Sequence, residues 1–345
     1  MGLRAEISEQ PDVLQSWLES QLPEVQRMAR VIRERQVEYV FLAARGTSDH
    51  AGTYAQYLWG SLNRLPVALA APSLFTLYSG SPRLSKALVV GISQSGESPD
   101  VVSVLAEGKR QGALTLAITN TIPSPLAQAA EFTVDLHAGV EKAVAATKTY
   151  TAELMAVAAI GAALTGKEEY LAALGRVPDA VRQALSLEDR AKEIAERHKE
   201  LARCVVLARG YNYASAQETA LKLKELAYVF ADPYSAADFL HGPIAIVEPG
   251  FPVFVIAPSG AAFADLLALL GRFRDEYKAE LLVVSDDAQA LAFAHSALPL
   301  PAGVPEWLSP LVAIVPMQLY CYHLTRAKGY DTEAPRGLHK VTLTR

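Results

Sequence analysis

Ala87-Leu88-Val89-Val90-Gly91-Ile92 runs directly into Ser93-Gln94-Ser95-Gly96-Glu97-Ser98, and Pro99-Asp100 follow. Nearly continuous apolar runs of this kind are strands buried on both faces, the kind found in parallel sheets covered by helices. Ser98 is a favourable helix N-cap and Pro99 suits the first helical position, where its missing N–H costs nothing. The free amides of that first turn then point back into a loop lined with hydroxyls, which is an anion site. The loop holds no lysine and does not follow the Gly-x4-Gly-Lys-Ser/Thr spacing of triphosphate sites, so a single phosphate monoester fits better than a nucleotide with magnesium. Glu97 and Asp100 work against an anion, and an ordinary polar turn is the competing reading.

Outward from this stretch, short apolar runs alternate with helical ones. A helical segment over residues 10–35 precedes strand candidates at 39–44, 67–70, 87–92, 114–118 and 132–136. The pattern pauses at Gly175-Arg176-Val177-Pro178, a charged helix covers 179–200, and further strand candidates follow at 204–208, 253–257 and 281–284. The fold class is α/β. Leu42-Ala43-Ala44-Arg45-Gly46 resembles Val206-Leu207-Ala208-Arg209-Gly210, 164 residues later. The same shift carries Ser95-Gly96 onto Ser259-Gly260, which points to an internal duplication. At the serine loop the copies part: the second reads Ala257-Pro258-Ser259-Gly260-Ala261-Ala262, with methyls and a proline in place of hydroxyls. A phosphate site therefore belongs to the first copy alone. Gly46-Thr47-Ser48 adds two hydroxyls after another strand of that copy.

The chain has 345 residues, a formal net charge of −5 and no lysine/arginine block, which speaks against nucleic acid as a partner. The apolar segment 308–324 is interrupted by Pro310, Pro316 and Gln318 and reads as a buried helix, so no membrane association is expected. The first residues lack the layout of a signal peptide, and the two cysteines, Cys204 and Cys321, read as buried thiols of a cytoplasmic protein. The histidines show no metal-ligand spacing, so neither a metal nor another cofactor is expected.

Three further features carry chemistry. Glu218, Lys222 and Glu225 stand at i, i+4 and i+7, on one helical face, suited either to acid/base work or to a solvated salt-bridged surface. His241, in Leu240-His241-Gly242-Pro243, sits in a tight loop and is either a proton shuttle or a structural histidine. Lys340 lies in the closing Pro335-Arg336-Gly337-Leu338-His339-Lys340, where a chain-end lysine is ordinarily a solvated charge.

Taken in order, Gly46-Thr47-Ser48, Ser93 to Ser98, Val144-Ala145-Ala146-Thr147-Lys148, Glu218 to Glu225, His241-Gly242-Pro243 and the closing motif resemble the sugar isomerase (SIS) domains. Within them the likeness is to the isomerase half of the glutamine–fructose-6-phosphate aminotransferases, over nearly the whole chain. The resemblance implies two SIS lobes, each a five-stranded parallel sheet between helices, in a homodimer with a shared active site. The expected domains are a helical segment at 1–36, a sugar-phosphate-binding lobe at 37–178, a lobe with the catalytic helix and histidine loop at 179–330, and a tail at 331–345. It further implies that Thr47, Ser48, Ser93, Gln94, Ser95 and Ser98 hold the sugar phosphate. Glu225 would move a proton between C1 and C2, and His241, from the neighbouring subunit, would assist ring opening. Lys340 would form a Schiff base, with Glu218 and Lys222 beside the base.

Two departures stand out: no glutaminase domain is expected in this chain, and the family's usual Val-Ala-Ser-Thr-Lys appears as Val144-Ala145-Ala146-Thr147-Lys148. The expected activity interconverts glucosamine 6-phosphate with fructose 6-phosphate and ammonia, in the deaminase/isomerase direction. The alternatives are deglycation of fructosamine 6-phosphates and a non-catalytic sugar-phosphate-sensing module.

Overall fold

The computed structural model describes residues 2–78, 80–338 and 340. In the first half, α1 (Leu3–Glu34), β1 (Tyr39–Ala43), α2 (Thr47–Asn63), β2 (Val67–Leu69) and α3 (Ser73–Thr76) lead to β3 (Ala87–Ile92) and α4 (Pro99–Arg110). Then come β4 (Leu114–Thr119), α5 (Pro125–Ala129), β5 (Phe132–Asp135), α6 (Lys148–Thr165) and α7 (Glu168–Leu174). The second half opens with α8 (Val177–Leu185) and α9 (Glu188–Arg197), followed by β6 (Arg203–Ala208), α10 (Tyr213–Leu226), β7 (Phe230–Ser235) and α11 (Ala236–Leu240). It continues through β8 (Pro252–Ile256), α12 (Phe263–Asp275), β9 (Glu280–Ser285), α13 (Ala288–Leu291), β10 (Ser296–Pro299) and α14 (Ser309–Ala327).

The strands form two five-stranded sheets, ordered β2-β1-β3-β4-β5 and β10-β9-β8-β6-β7, parallel throughout. Read from the opposite edge, the second order matches the first strand for strand. β1 begins at Tyr39 and β6 at Arg203, 164 residues on; β5 begins at Phe132 and β10 at Ser296, again 164 on. The duplication therefore spans the whole sheet. Every residue of β3 and β4 is buried, which is why β3 reads as an unbroken apolar run and β4 as one broken only by Thr115 and Thr119. In the first sheet, Val89 packs with Val101, Val104 and Leu105 of α4 and with Leu126.

The chain divides into two compact units. A first unit comprises residues 12–141 and 148–175 with Lys340, and a second comprises residues 2–11, 142–147 and 176–338. In the second unit, α14 is buried along nearly its whole length and packs against α8, α9 and α10. Among the described residues no helix is long and apolar enough to cross a membrane.

Three expectations are corrected. The second half has five strands where its sequence pattern marks three, because β7 and β10 are edge strands carrying Pro233 and Pro299, which an edge tolerates and a pattern search rejects. The charged stretch 179–200 is two helices, α8 and α9, parted at Ser186-Leu187. Helix α1 begins at Leu3 rather than near residue 10, which brings in Glu6, a buried carboxylate that accepts the amides of Lys142 and Ala143.

Candidate active site

The serine loop forms where β3 ends and α4 begins. Ser98 is the N-cap of α4 with Pro99 at the first position, yet the Ser98 hydroxyl makes no capping bond. Inside the loop, the Ser93 hydroxyl accepts the Gly96 amide at 3.2 Å and the Ser95 hydroxyl accepts the Glu97 amide at 3.3 Å. Gly96 has φ +66°, and a Cβ there would collide with Ser124 and Thr119, so the turn excludes a side chain. Asp100, which as a bare charge would repel an anion, is fully buried and bonded to Arg45 Nε at 2.7 Å. Thr47 and Ser48 open α2 after Gly46, which has φ +54°. The Ser48 hydroxyl donates to the buried Glu153 carboxylate at 2.7 Å. Beside them, burial pushes the Asp49 carboxyl above its ordinary range, with His50 and Arg45 pulling the other way.

The equivalent loop of the second copy takes the same place between β8 and α12. Its Ala261 amide donates to Glu306 Oε2 at 2.8 Å and its Ala262 amide to Glu306 Oε1 at 3.4 Å. These two amides stand 164 residues after those of Glu97 and Ser98. Among the described residues, no side-chain carboxylate is hydrogen-bonded to the Glu97 or Ser98 amide. The second loop is therefore fastened by a carboxylate of its own, whereas in the first the Glu97 amide donates to the Ser95 hydroxyl.

A cavity of about 500 Å³ opens at the carboxyl ends of β3, β4 and β5, lined by Gln94, Asn120, Thr121, Asp135, His137 and Glu141 among others. Its rim is fixed by the protein's own bonds: Asn120 Nδ2 donates to Gly139 O at 2.7 Å and Asn120 Oδ1 accepts the Ala138 amide at 2.9 Å. Asp135 accepts the His137 amide at 2.8 Å, which sustains the positive φ of His137. Lys340 Nζ reaches Glu141 at 2.9 Å, and Glu141 is fully buried. In the first unit, then, Gln94 of the serine loop lines the same cavity as Glu141, the residue that Lys340 contacts.

In the second unit, α10 presents the acidic–basic set. Lys222 Nζ lies 3.2 Å from Glu218 Oε1 and 2.7 Å from Glu225 Oε2. Glu218 and Lys222 are buried while Glu225 keeps an exposed edge, so this is not a solvated face. Burial alone drives the Lys222 ammonium down, but the two carboxylates outweigh it and hold it above the ordinary lysine value. One of Glu225's oxygens is thus pinned by a permanent cation, which fixes the carboxylate in place. Burial pushes the thiols of Cys204 and Cys321 up and leaves them inert. His241 is exposed at the C-terminal end of α11, ahead of Gly242 with φ +142°. Among the described residues, no hydrogen bond joins His241 to Glu225. Leu240 and Ile246, on either side of His241, are exposed apolar side chains. Further along, the Arg336 guanidinium lies 4.2 Å from the Tyr228 ring and 5.0 Å from that of Tyr330.

Four partners of these groups escape the motif reading: Glu141, Glu153, Glu306 and the Arg45–Asp100 pair. Only the last leaves a trace in sequence, since Arg209 pairs with Asp265 at nearly the same shift.

Comparison with known proteins identifies the family and the fold. The SIS domain profile matches residues 35–163 and 199–325. The chain is 33% identical over 344 residues to the glutamine–fructose-6-phosphate aminotransferase (isomerizing) of Pyrococcus horikoshii, covering 97% of this chain and 56% of that protein. It thus spans little more than half the length of the curated relatives it matches. Among solved structures, a Silicibacter pomeroyi protein carrying the provisional name phosphosugar isomerase superposes with a TM-score of 0.86 at 35% identity, covering 96% of this chain and 99% of that one. The C-terminal domain of glucosamine–fructose-6-phosphate aminotransferase from Francisella tularensis gives 0.88 at 27%, covering 96% and 97%. With both sheets matched by one profile and their strand orders equivalent, the chain belongs to the SIS domain family and carries two SIS units.

Proposed function

We propose that the protein is a phosphosugar isomerase that converts glucosamine 6-phosphate to fructose 6-phosphate and ammonia, working as a homodimer. The observation that carries this reading is the cavity shared by Gln94 of the serine loop and Glu141, the partner of Lys340. Its volume, about 500 Å³, suits a ligand the size of a sugar phosphate. The phosphate is held by Ser93, Gln94, Ser95 and Ser98 with the backbone amides that lead into α4, beside Thr47 and Ser48. Support for an anion there comes from the second copy, whose matching amides already hold a carboxylate. Because Ser48 donates its proton to Glu153, it meets the sugar as an acceptor.

Glu225 takes the proton at one carbon and returns it to the next on the same face of the enediol or enamine, and Lys222 with Glu218 keeps it oriented. Lys340 forms an imine with the keto sugar, which makes the C1 proton more acidic. His241, supplied by the partner subunit, assists ring opening, and the exposed Leu240 and Ile246 beside it fit a surface that a partner covers.

The test follows ammonia and fructose 6-phosphate released from glucosamine 6-phosphate by wild type, Glu225→Gln and Lys340→Ala. Wild type turns over and the two variants lose at least about 10²-fold in kcat. A wild type that releases no ammonia and exchanges no C1 or C2 proton with solvent would sink the proposal. Full activity in Glu225→Gln would remove that residue as the base.

A further inference from the structure

Glu141 is a carboxylate taken wholly out of water, which is costly unless its charge is matched. Two donors come from Thr149, the second residue of α6: its amide to Oε1 at 3.2 Å and its hydroxyl to Oε2 at 2.7 Å. That amide is one of the orphan donors of a helix N-terminus, where the helix dipole also favours negative charge. A further donor is Lys340 Nζ, at 2.9 Å on Oε2. A cap for α6 would need Thr149 alone. The carboxylate is held so that one oxygen faces both the Thr149 hydroxyl and the tail lysine, in a residue that borders the cavity that Gln94 also lines.

We propose that Glu141 is the positioning residue for Lys340: it seats the tail lysine at the cavity and acts as counter-ion to Nζ before and after imine formation. This rests on the reading of Lys340 as the imine-forming lysine. The step balances as R–NH3⁺ with O=C giving R–NH⁺=C and water. The nitrogen–carbon bond forms, the carbon–oxygen bond breaks, and two of the three ammonium protons leave on the oxygen. The nitrogen carries one positive charge at both ends of the step. The buried carboxylate is therefore matched throughout, and its partner need not be replaced while the sugar is bound.

Docking is tested in the full chain without sugar, by mass-spectrometric measurement of the rate at which an N-hydroxysuccinimide ester acylates Lys340. Glu141→Gln keeps the shape and removes the charge, and Lys340 should be acylated about tenfold faster once its charge-assisted bond is lost. Equal rates in wild type and variant overturn the docking. With glucosamine 6-phosphate, Glu141→Gln should lower kcat by about 10²-fold through misplacement of the amine, while KM stays within about twofold because the serine loop is untouched. Thr149→Val, which retains the carboxylate and removes the hydroxyl that aims it, should lower kcat by about tenfold and guards against a folding defect in Glu141→Gln. Unchanged kcat in both variants overturns the positioning role. Borohydride reduction of wild type with fructose 6-phosphate separates the two ideas: no adduct on Lys340 removes the imine and the counter-ion with it, whereas the acylation contrast judges the docking independently.

Discussion

The loop at 93–98 and the loop at 257–262 share a place in their sheets, between the third strand of the repeat and the helix after it, and differ in who supplies the anion. In the second, Glu306 lies across the Ala261 and Ala262 amides, and Asp286 accepts the Ser259 amide at 2.7 Å. In the first, hydroxyls turn inward to Gly96 and Glu97 while Ser98 keeps its cap hydroxyl out of any capping bond. One backbone device thus has two uses. Bound to the protein's own carboxylate it fastens a loop, and lined with hydroxyls beside a cavity it suits a ligand.

The sharpest way to break this contrast is to strip polar side chains from the first loop. With Ser93, Gln94 and Ser98 all changed to alanine, each lost hydrogen bond to a charged phosphate costs about 1.5 kcal/mol or more, so Kd for fructose 6-phosphate should rise by about 10³-fold. Calorimetric titration checks it, and a change of less than about threefold would show that the loop is only a turn.

The arginine–aspartate pair behind each loop differs in burial, and its removal should show that. Asp100 is 0% exposed and Asp265 is 64% exposed in side-chain terms. Arg45→Ala removes the cation from a buried carboxylate and should cost about 2 kcal/mol by urea denaturation, below the usual figure for a buried pair because Arg45 is itself half exposed. Arg209→Ala should stay within about 0.5 kcal/mol. Equal losses would mean that burial is not what distinguishes the copies.

Emptying the second loop is a smaller perturbation. Glu306→Ala leaves two amides to solvent and should lower stability by about 1 kcal/mol, part of which inorganic phosphate restores if the cradle still accepts an anion. No response to phosphate would confine the anion function to the first loop.

The smallest effect is that of pH. Burial lowers the pKa of both His198 and His323, and both lie in the second unit. A histidine held neutral in the fold binds fewer protons than its unfolded counterpart, so its contribution is complete above the ordinary value near 6.5 and is lost as pH falls through the lower folded value. Thermal melts between about pH 7 and pH 5 should show a decline of order 1 kcal/mol or less, felt first by amide exchange in the second unit. A melting temperature that rises on acidification would reverse the sign and refute the assignment.

Much of this architecture is legible in the chain. β3 and β4 are recognisable because strands covered on both faces are built almost wholly of apolar and β-branched residues, and the shift of 164 is legible because it recurs at two landmarks. β7 and β10 escape notice because an edge strand is constrained on one side only, so Asp232, Pro233 and Pro299 break the apolar pattern without breaking the sheet. The α10 set is legible because helical spacing is local: Glu218, Lys222 and Glu225 fall on one face whatever surrounds them. What surrounds them, burial that turns an ordinary salt-bridge pattern into a fixed ionic group, is not.

The sequence by itself determined the strands other than β7 and β10, the repeat, the hydroxyl-lined loop and the helical spacing of the ionic set, since each follows from the period of a few neighbouring residues. Only the tertiary structure decided which carboxylate meets which donor. Glu141 and Lys340 are separated by 199 residues, Ser48 and Glu153 by 105, and Ala261 and Glu306 by 45. No local propensity couples positions so far apart; they meet because the sheets bury the strands between them, and a charge left inside by that burial must find its partner there.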